Sequence, residues 1–174
     1  LYFGGGTPSL LSIKDVEKVI NNFIIIPDFC EITFEMNPDD SDKGYLKRLR
    51  ELGVNRISLG SQTFDDNILE EIGRRHNSKQ IIDAVEDIKS AGFNNISLDL
   101  IYGLPGQTMD ILNKDLETVT QLGIQHVSTY GLKIEHPSYY ASNLPENLPD
   151  DDTQADMYLR VNEFLESHGY MRYE

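Results

Sequence analysis

The sequence predicts an α/β fold in which parallel strands, joined by helices, ring one central site like a barrel. Two observations carry this. First, a short pattern recurs: a glycine, an apolar residue, two mostly polar residues, then an apolar and a polar one. It stands at residues 53–58, 92–97, 123–128 and 169–174, each time after a segment of helical periodicity. Alternating helices and strands imply parallel pairing through right-handed crossovers. Second, five strand ends in succession are polar or glycine-rich. An open sheet gathers its ligand residues at one switch point. A (β/α) barrel spreads them over the ends of its strands, so five in a row favour the barrel.

The elements follow in order. Leu1-Tyr2-Phe3 is a strand end that runs into Gly4-Gly5-Gly6-Thr7-Pro8-Ser9. Contiguous glycines are expensive inside a helix or strand, so this run belongs where the backbone turns sharply or lies against a ligand. It is neither a Walker loop nor a GxGxxG fingerprint. Bare backbone groups there suit a polar, amino-acid-like moiety better than a phosphate. Ser12 is a plausible helix cap. A second strand spans residues 31–35 and ends in Glu35-Met36-Asn37-Pro38. Leu46, Leu49 and Leu52 then share a helical face.

A third strand, residues 56–60, leads to Gly60-Ser61-Gln62, and an extra helical turn is expected over residues 67–74. Ser78 caps the next helix, with Ile81, Ile82, Val85 and Ile88 on one face. The fourth strand, residues 95–102, carries Asp99 and ends at Tyr102-Gly103. Thr108 caps a helix with Ile111, Leu112, Leu116, Val119 and Leu122 in its stripe. The fifth strand, residues 126–132, brings Tyr130, Lys133 and Glu135 to its end. Thr153 caps a last helix bearing Met157, Val161, Phe164 and Leu165. Gly53, Gly92, Gly123 and Gly169 read as left-handed residues that stop the helices before them.

Composition narrows the function. The 174 residues are 39% hydrophobic, enough for one domain with a real core. With 29 acidic against 15 basic residues the net charge is −14, which argues against a nucleic-acid backbone or an anionic membrane as partner. There is one cysteine, Cys30, so no disulfide forms within the chain. That fits a reducing, cytoplasmic setting. The longest apolar run, Phe23-Ile24-Ile25-Ile26, stops at Pro27 and is far too short to span a membrane. The four histidines lack metal-ligand spacing; His168, beside Gly169, reads as a partner for a helix C-terminus.

Four side chains stand out chemically. Glu35 ends a strand, where a carboxylate accepts hydrogen bonds from a ligand amine or hydroxyl; a loop salt bridge is an equal alternative. Asp99 lies in the apolar stretch Ile96-Ser97-Leu98-Asp99-Leu100-Ile101. A carboxylate in a buried parallel strand needs a partner, and a ribose diol or an arginine would serve. Arg74 and Arg75 follow the short helix after Gln62; a guanidinium there recognises a carboxylate or is a solvated surface pair. Gln62 alone is weak.

Together, Gly4 to Ser9, Glu35-Met36-Asn37-Pro38, Ser58-Leu59-Gly60-Ser61-Gln62-Thr63-Phe64, Arg74-Arg75-His76 and the run from Asp99 to Thr108 resemble one family. It is the radical S-adenosylmethionine group that contains oxygen-independent coproporphyrinogen III oxidase and its relative, the haem chaperone. The motifs occur in family order and span nearly the whole chain. The resemblance implies a partial (β/α)6 barrel of TIM type, with strands two to six and outer helices present. It implies that S-adenosylmethionine contacts Gly5, Gly6 and Thr7, Glu35, Gln62, Arg74 and Asp99. The family's [4Fe-4S] cluster is held by a CxxxCxxC loop, and Cys30 does not supply it. Residues 1–174 therefore read as an incomplete core domain, without the cluster segment and the C-terminal domain, and inactive by itself. No catalytic side chain and no metal ligand is expected within it.

For the intact protein the resemblance implies a cytoplasmic radical-SAM oxidoreductase or chaperone with a porphyrin or haem ligand. In the oxidase, a 5′-deoxyadenosyl radical abstracts hydrogen as propionates become vinyl groups. In the chaperone, haem is bound and delivered with little turnover. Ser58 to Phe64 and Leu132-Lys133-Ile134-Glu135 are closer to the chaperone branch. Two rival readings are a non-radical barrel enzyme using Glu35 and Asp99 as an acid/base pair and a non-catalytic binding module. Open sheet edges are also expected to promote self-association.

Overall fold

In the computed structural model, residues 1–23 and 30–173 are described. The order is β1 (Tyr2–Phe3), α1 (Ile13–Asn21), β2 (Thr33–Met36), α2 (Lys43–Glu51), β3 (Arg56–Gln62), α3 (Asp66–Glu71), α4 (Ser78–Ser90), β4 (Ile96–Tyr102), α5 (Met109–Gln121), β5 (His126–Gly131), α6 (Tyr139–Ser142) and α7 (Asp151–Ser167). Short 3₁₀ turns, Pro8–Leu10 and Pro38–Asp40, follow β1 and β2. The five strands form one sheet in the order β1-β2-β3-β4-β5. Parallel pairing sets Phe3 against Phe34, and Glu35 against Ser58. Sequence order equals spatial order, as in a barrel built from repeated crossovers. The run at Ile24, Ile25, Ile26 and Pro27 lies outside the described residues.

The glycine pattern has one cause throughout. Gly53, Gly92, Gly123 and Gly169 all have φ between +61° and +94°. After Gly53, Gly92 and Gly169 the next residue's N–H bonds back into the last helical turn. These are Val54 to Leu49 (3.1 Å), Phe93 to Ile88 (3.3 Å) and Tyr170 to Leu165 (3.0 Å). This is the Schellman stop, which needs a residue at ease in the left-handed region. Gly73 adds another, with Arg74 N–H bonded to Leu69 at 2.8 Å. His168 is the C-cap of α7, and its Nδ1–H donates to the Phe164 carbonyl at 2.8 Å.

Helix starts agree in part. Ser12 and Thr108 cap α1 and α5 through their side-chain oxygens. Two expected caps are displaced. Ser78 is the first residue of α4, and its N–H goes to Asp66 Oδ1 at 2.7 Å. Thr153 lies inside α7; Asp150 is the cap and accepts the Thr153 N–H at 2.8 Å. An ionised carboxylate at the N-cap accepts from backbone N–H more strongly than a hydroxyl. The strands shift by a residue or two: β2 runs Thr33–Met36 rather than 31–35, and β3 reaches Gln62 rather than stopping at Gly60.

The described residues fall into two compact units. The first comprises Leu1–Ser61, Lys79–Leu98 and Ile124–His126. Its buried core includes Phe34, Leu46, Leu49, Ile57, Ile81, Ile88 and Ile96. The second comprises Gln62–Ser78, Asp99–Gly123 and Val127–Glu174, with Leu69, Leu104, Leu112, Leu116, Val119, Met157 and Val161 buried. The predicted stripes of α2, α4, α5 and α7 are buried in their main part, while Leu52, Ile82, Ile111, Leu122 and Leu165 are half-buried at their margins; burying one such side chain fully contributes about 1.5–3 kcal/mol. Among the described residues no helix is long and apolar enough to cross a membrane.

Candidate functional site

In the first unit, the glycine run closes onto the end of β2. Gly5 donates its N–H to Glu35 Oε2 at 3.0 Å, and the Tyr2 hydroxyl donates to Glu35 Oε1 at 2.7 Å. The carboxylate is thus held by its own loop. A carboxylate has about four acceptor positions, so two such bonds leave capacity for a ligand donor. The three glycines do different work. A Cβ on Gly4 would sit 2.5 Å from the Tyr2 ring and 3.1 Å from the Glu35 carboxyl carbon. Gly5 and Gly6 have open space around them but φ of +77° and +63°, so backbone conformation selects glycine there. Thr7 precedes the Pro8–Leu10 turn and makes no side-chain cap bond; its carbonyl accepts the Leu10 N–H at 3.1 Å. Ser9 Oγ donates to Asp40 at 2.7 Å, fixing the far side of the loop.

In the second unit, Gln62 is the last residue of β3. Its φ is +64°, the sole left-handed non-glycine among the described residues. The side chain is 6% exposed and its Oε1 has no hydrogen-bond partner. A buried carbonyl oxygen without a donor costs about 1–3 kcal/mol, and a strained backbone costs a similar amount. Both features fall on one residue, Gln62, at the end of β3. Arg74 is exposed, immediately after Gly73 and the end of α3. Asp99 lies mid-way along β4 and is half-buried rather than fully enclosed. The β4 strand has apolar Leu98 and Leu100 buried on either side of it, so the pleat turns the aspartate to the other face.

Sequence reasoning did not pick out Asp115, and it quoted Thr63 and Gln107 only within motifs, with no role of their own. Asp115 is buried in α5 and accepts from Thr63 Oγ1 at 2.8 Å, from Phe64 N–H at 2.7 Å and from Gln107 Nε2 at 3.5 Å. Burial pushes its carboxyl up to about 6, outweighing the lowering effect of those bonds. The signal was present: an aspartate three residues after Leu112 and four before Val119, inside an apolar stripe.

The class is therefore a parallel (β/α) barrel-type domain with glycines after β1, Glu35 at the end of β2 and the left-handed Gln62 at the end of β3. The chain belongs to the radical SAM superfamily, which it matches over residues 1–119. It is 41% identical to the heme chaperone HemW of Lactococcus lactis and 40% identical to that of Bacillus subtilis, each over the whole chain. In both cases it covers 48% of the relative, so it spans about half the length of the curated relatives it matches. Among solved structures it resembles coproporphyrinogen III oxidase (HemN) from Escherichia coli, a radical SAM enzyme. The TM-score is 0.88 at 27% identity, covering 98% of this chain and 41% of that one. The expected fold, a partial TIM-like barrel of radical SAM type, is the fold observed.

Proposed function

We propose that this chain supplies the S-adenosylmethionine-binding residues of a haem-handling radical-SAM protein of the chaperone type. The observation that carries the cofactor assignment is Gln62, strained and with its buried Oε1 awaiting a donor. In this reading Gln62 accepts a hydrogen bond from the cofactor. The open backbone at Gly5 and Gly6, with Thr7, receives its amino-acid end, and Glu35 accepts from its ammonium. The Arg74 guanidinium pairs with its carboxylate, and Asp99 accepts from its ribose hydroxyls. When bound, S-adenosylmethionine would supply a sulfonium open to reductive cleavage, given an electron from a donor that these residues do not provide. The fit differs for the other group of the family. Cys30 is the single cysteine of the sequence, so these residues do not hold a [4Fe-4S] cluster, and no step is assigned through one.

The chaperone assignment rests on the heme chaperone relatives, 41% and 40% identical over the whole chain. The test is the full-length protein under anaerobic conditions, offered haem and, separately, coproporphyrinogen III. Stoichiometric haem binding without protoporphyrinogen formation is expected. Robust turnover would overturn the chaperone reading and favour the oxidase, which the likeness to coproporphyrinogen III oxidase keeps as the second reading. Membership of the radical SAM superfamily weighs against a non-radical enzyme built on Glu35 and Asp99.

A further inference from the structure

α5 spends a core position on a charge. Leu112, Leu116 and Val119 are buried along its stripe, and Asp115 sits among them at 1% exposure. An apolar residue of similar size would fill that place without a desolvation penalty. What distinguishes the aspartate is where its bonds land. Thr63 Oγ1 and Phe64 N–H, the next two residues after Gln62, both donate to it. Thr63 Oγ1 also accepts the Asp65 N–H at 3.1 Å, so the hydroxyl is held on both sides. The remaining donor, Gln107 Nε2, also reaches the Ile101 carbonyl at 3.2 Å, and Gln107 Oε1 accepts the Leu104 N–H at 3.2 Å. One carboxylate thereby ties the chain leaving β3 to the loop leaving β4, wholly within the second unit.

Gln62 needs such a tie. A non-glycine residue at φ +64° persists only where its surroundings over-determine it, and the two residues after it are the fixed ones. We propose that Asp115 is a positioning residue: by clamping Thr63 and Phe64 it holds Gln62 left-handed, with its carboxamide oxygen presented to the bound ligand. This rests on the reading that Gln62 contacts S-adenosylmethionine.

The test is calorimetric titration of S-adenosylmethionine into the full-length protein, with thermal unfolding recorded beside it. Gln62→Ala is expected to weaken binding about tenfold, the value of one hydrogen bond. Asp115→Ala and the milder Thr63→Val should each weaken it about fivefold or more, while Asp115→Asn, which keeps an acceptor for Phe64, stays near wild type. The combined Gln62→Ala/Asp115→Ala protein should bind no more weakly than Gln62→Ala alone. Additive losses in the double variant, or wild-type affinity in folded Asp115→Ala and Thr63→Val, would overturn the proposal. A second readout is independent of the ligand: the Gln62 side-chain amide resonances of the free protein should shift in Thr63→Val and Asp115→Ala. Unmoved resonances overturn the clamp. Wild-type affinity in Gln62→Ala together with shifted resonances would overturn the cofactor role of Gln62 and leave the clamp standing.

Discussion

Asp115 meets neutral pH at a disadvantage that a neutral side chain would not have. Its ordinary value of 3.8 rises to about 6 on folding, mainly by burial, with Asp65 adding to the rise against the bonds from Phe64, Thr63 and Gln107. The folded state therefore holds the proton more tightly than the unfolded chain. The stabilisation is complete below about pH 4, shrinks as pH rises, and is lost above about pH 6. At about 1.4 kcal/mol per decade of proton affinity, the swing is about 3 kcal/mol. Urea unfolding of wild type and Asp115→Asn across pH 4–7 should show their difference moving by that order against the wild type as pH rises. The glycine loop gives a contrast. Gly5→Ala should cost about 1–2 kcal/mol through backbone strain alone, since its Cβ meets nothing within 4 Å. Gly4→Ala should instead displace the Tyr2 ring and, with it, the Tyr2–Glu35 hydrogen bond. The distinction shows in the tyrosine and glutamate side-chain resonances.

Elements were the most legible level. A glycine at the foot of α2, α4, α5 and α7 and an apolar stripe along each of these are local signals, and local backbone physics decides both. The Schellman bonds after Gly53, Gly92 and Gly169 follow from sequence alone. Caps were read less well where two good candidates competed, as with Asp150 and Thr153. At α5 there was no competitor, and Thr108→Ala should cost about 1 kcal/mol in denaturant unfolding, the usual value of an N-cap hydroxyl. Glu35 was legible as a strand-end carboxylate, but not its bonds to Tyr2 and Gly5, which join positions 30 or more apart in the chain. Gln62 looked weak in sequence because its information lies in φ and burial. Asp115 was hidden because a single polar residue in an apolar stripe has many structural explanations until its partners, some 50 residues away, are known.

At the scale of the molecule, β1 and β5 are the edge strands of the sheet, and an unpaired edge is a template for another strand. Light scattering of the 174-residue chain should therefore give a mass above its 19.8 kDa; a clean monomer would contradict that. The central claim is that these strand ends bind S-adenosylmethionine. Calorimetric titration of the full-length protein with S-adenosylmethionine, beside Asp99→Ala, tests it most directly. The account predicts saturable one-to-one binding that weakens about tenfold or more in the variant, as loss of hydrogen bonds to a charged group does. An absence of binding, or equal affinity in the two proteins, would contradict it.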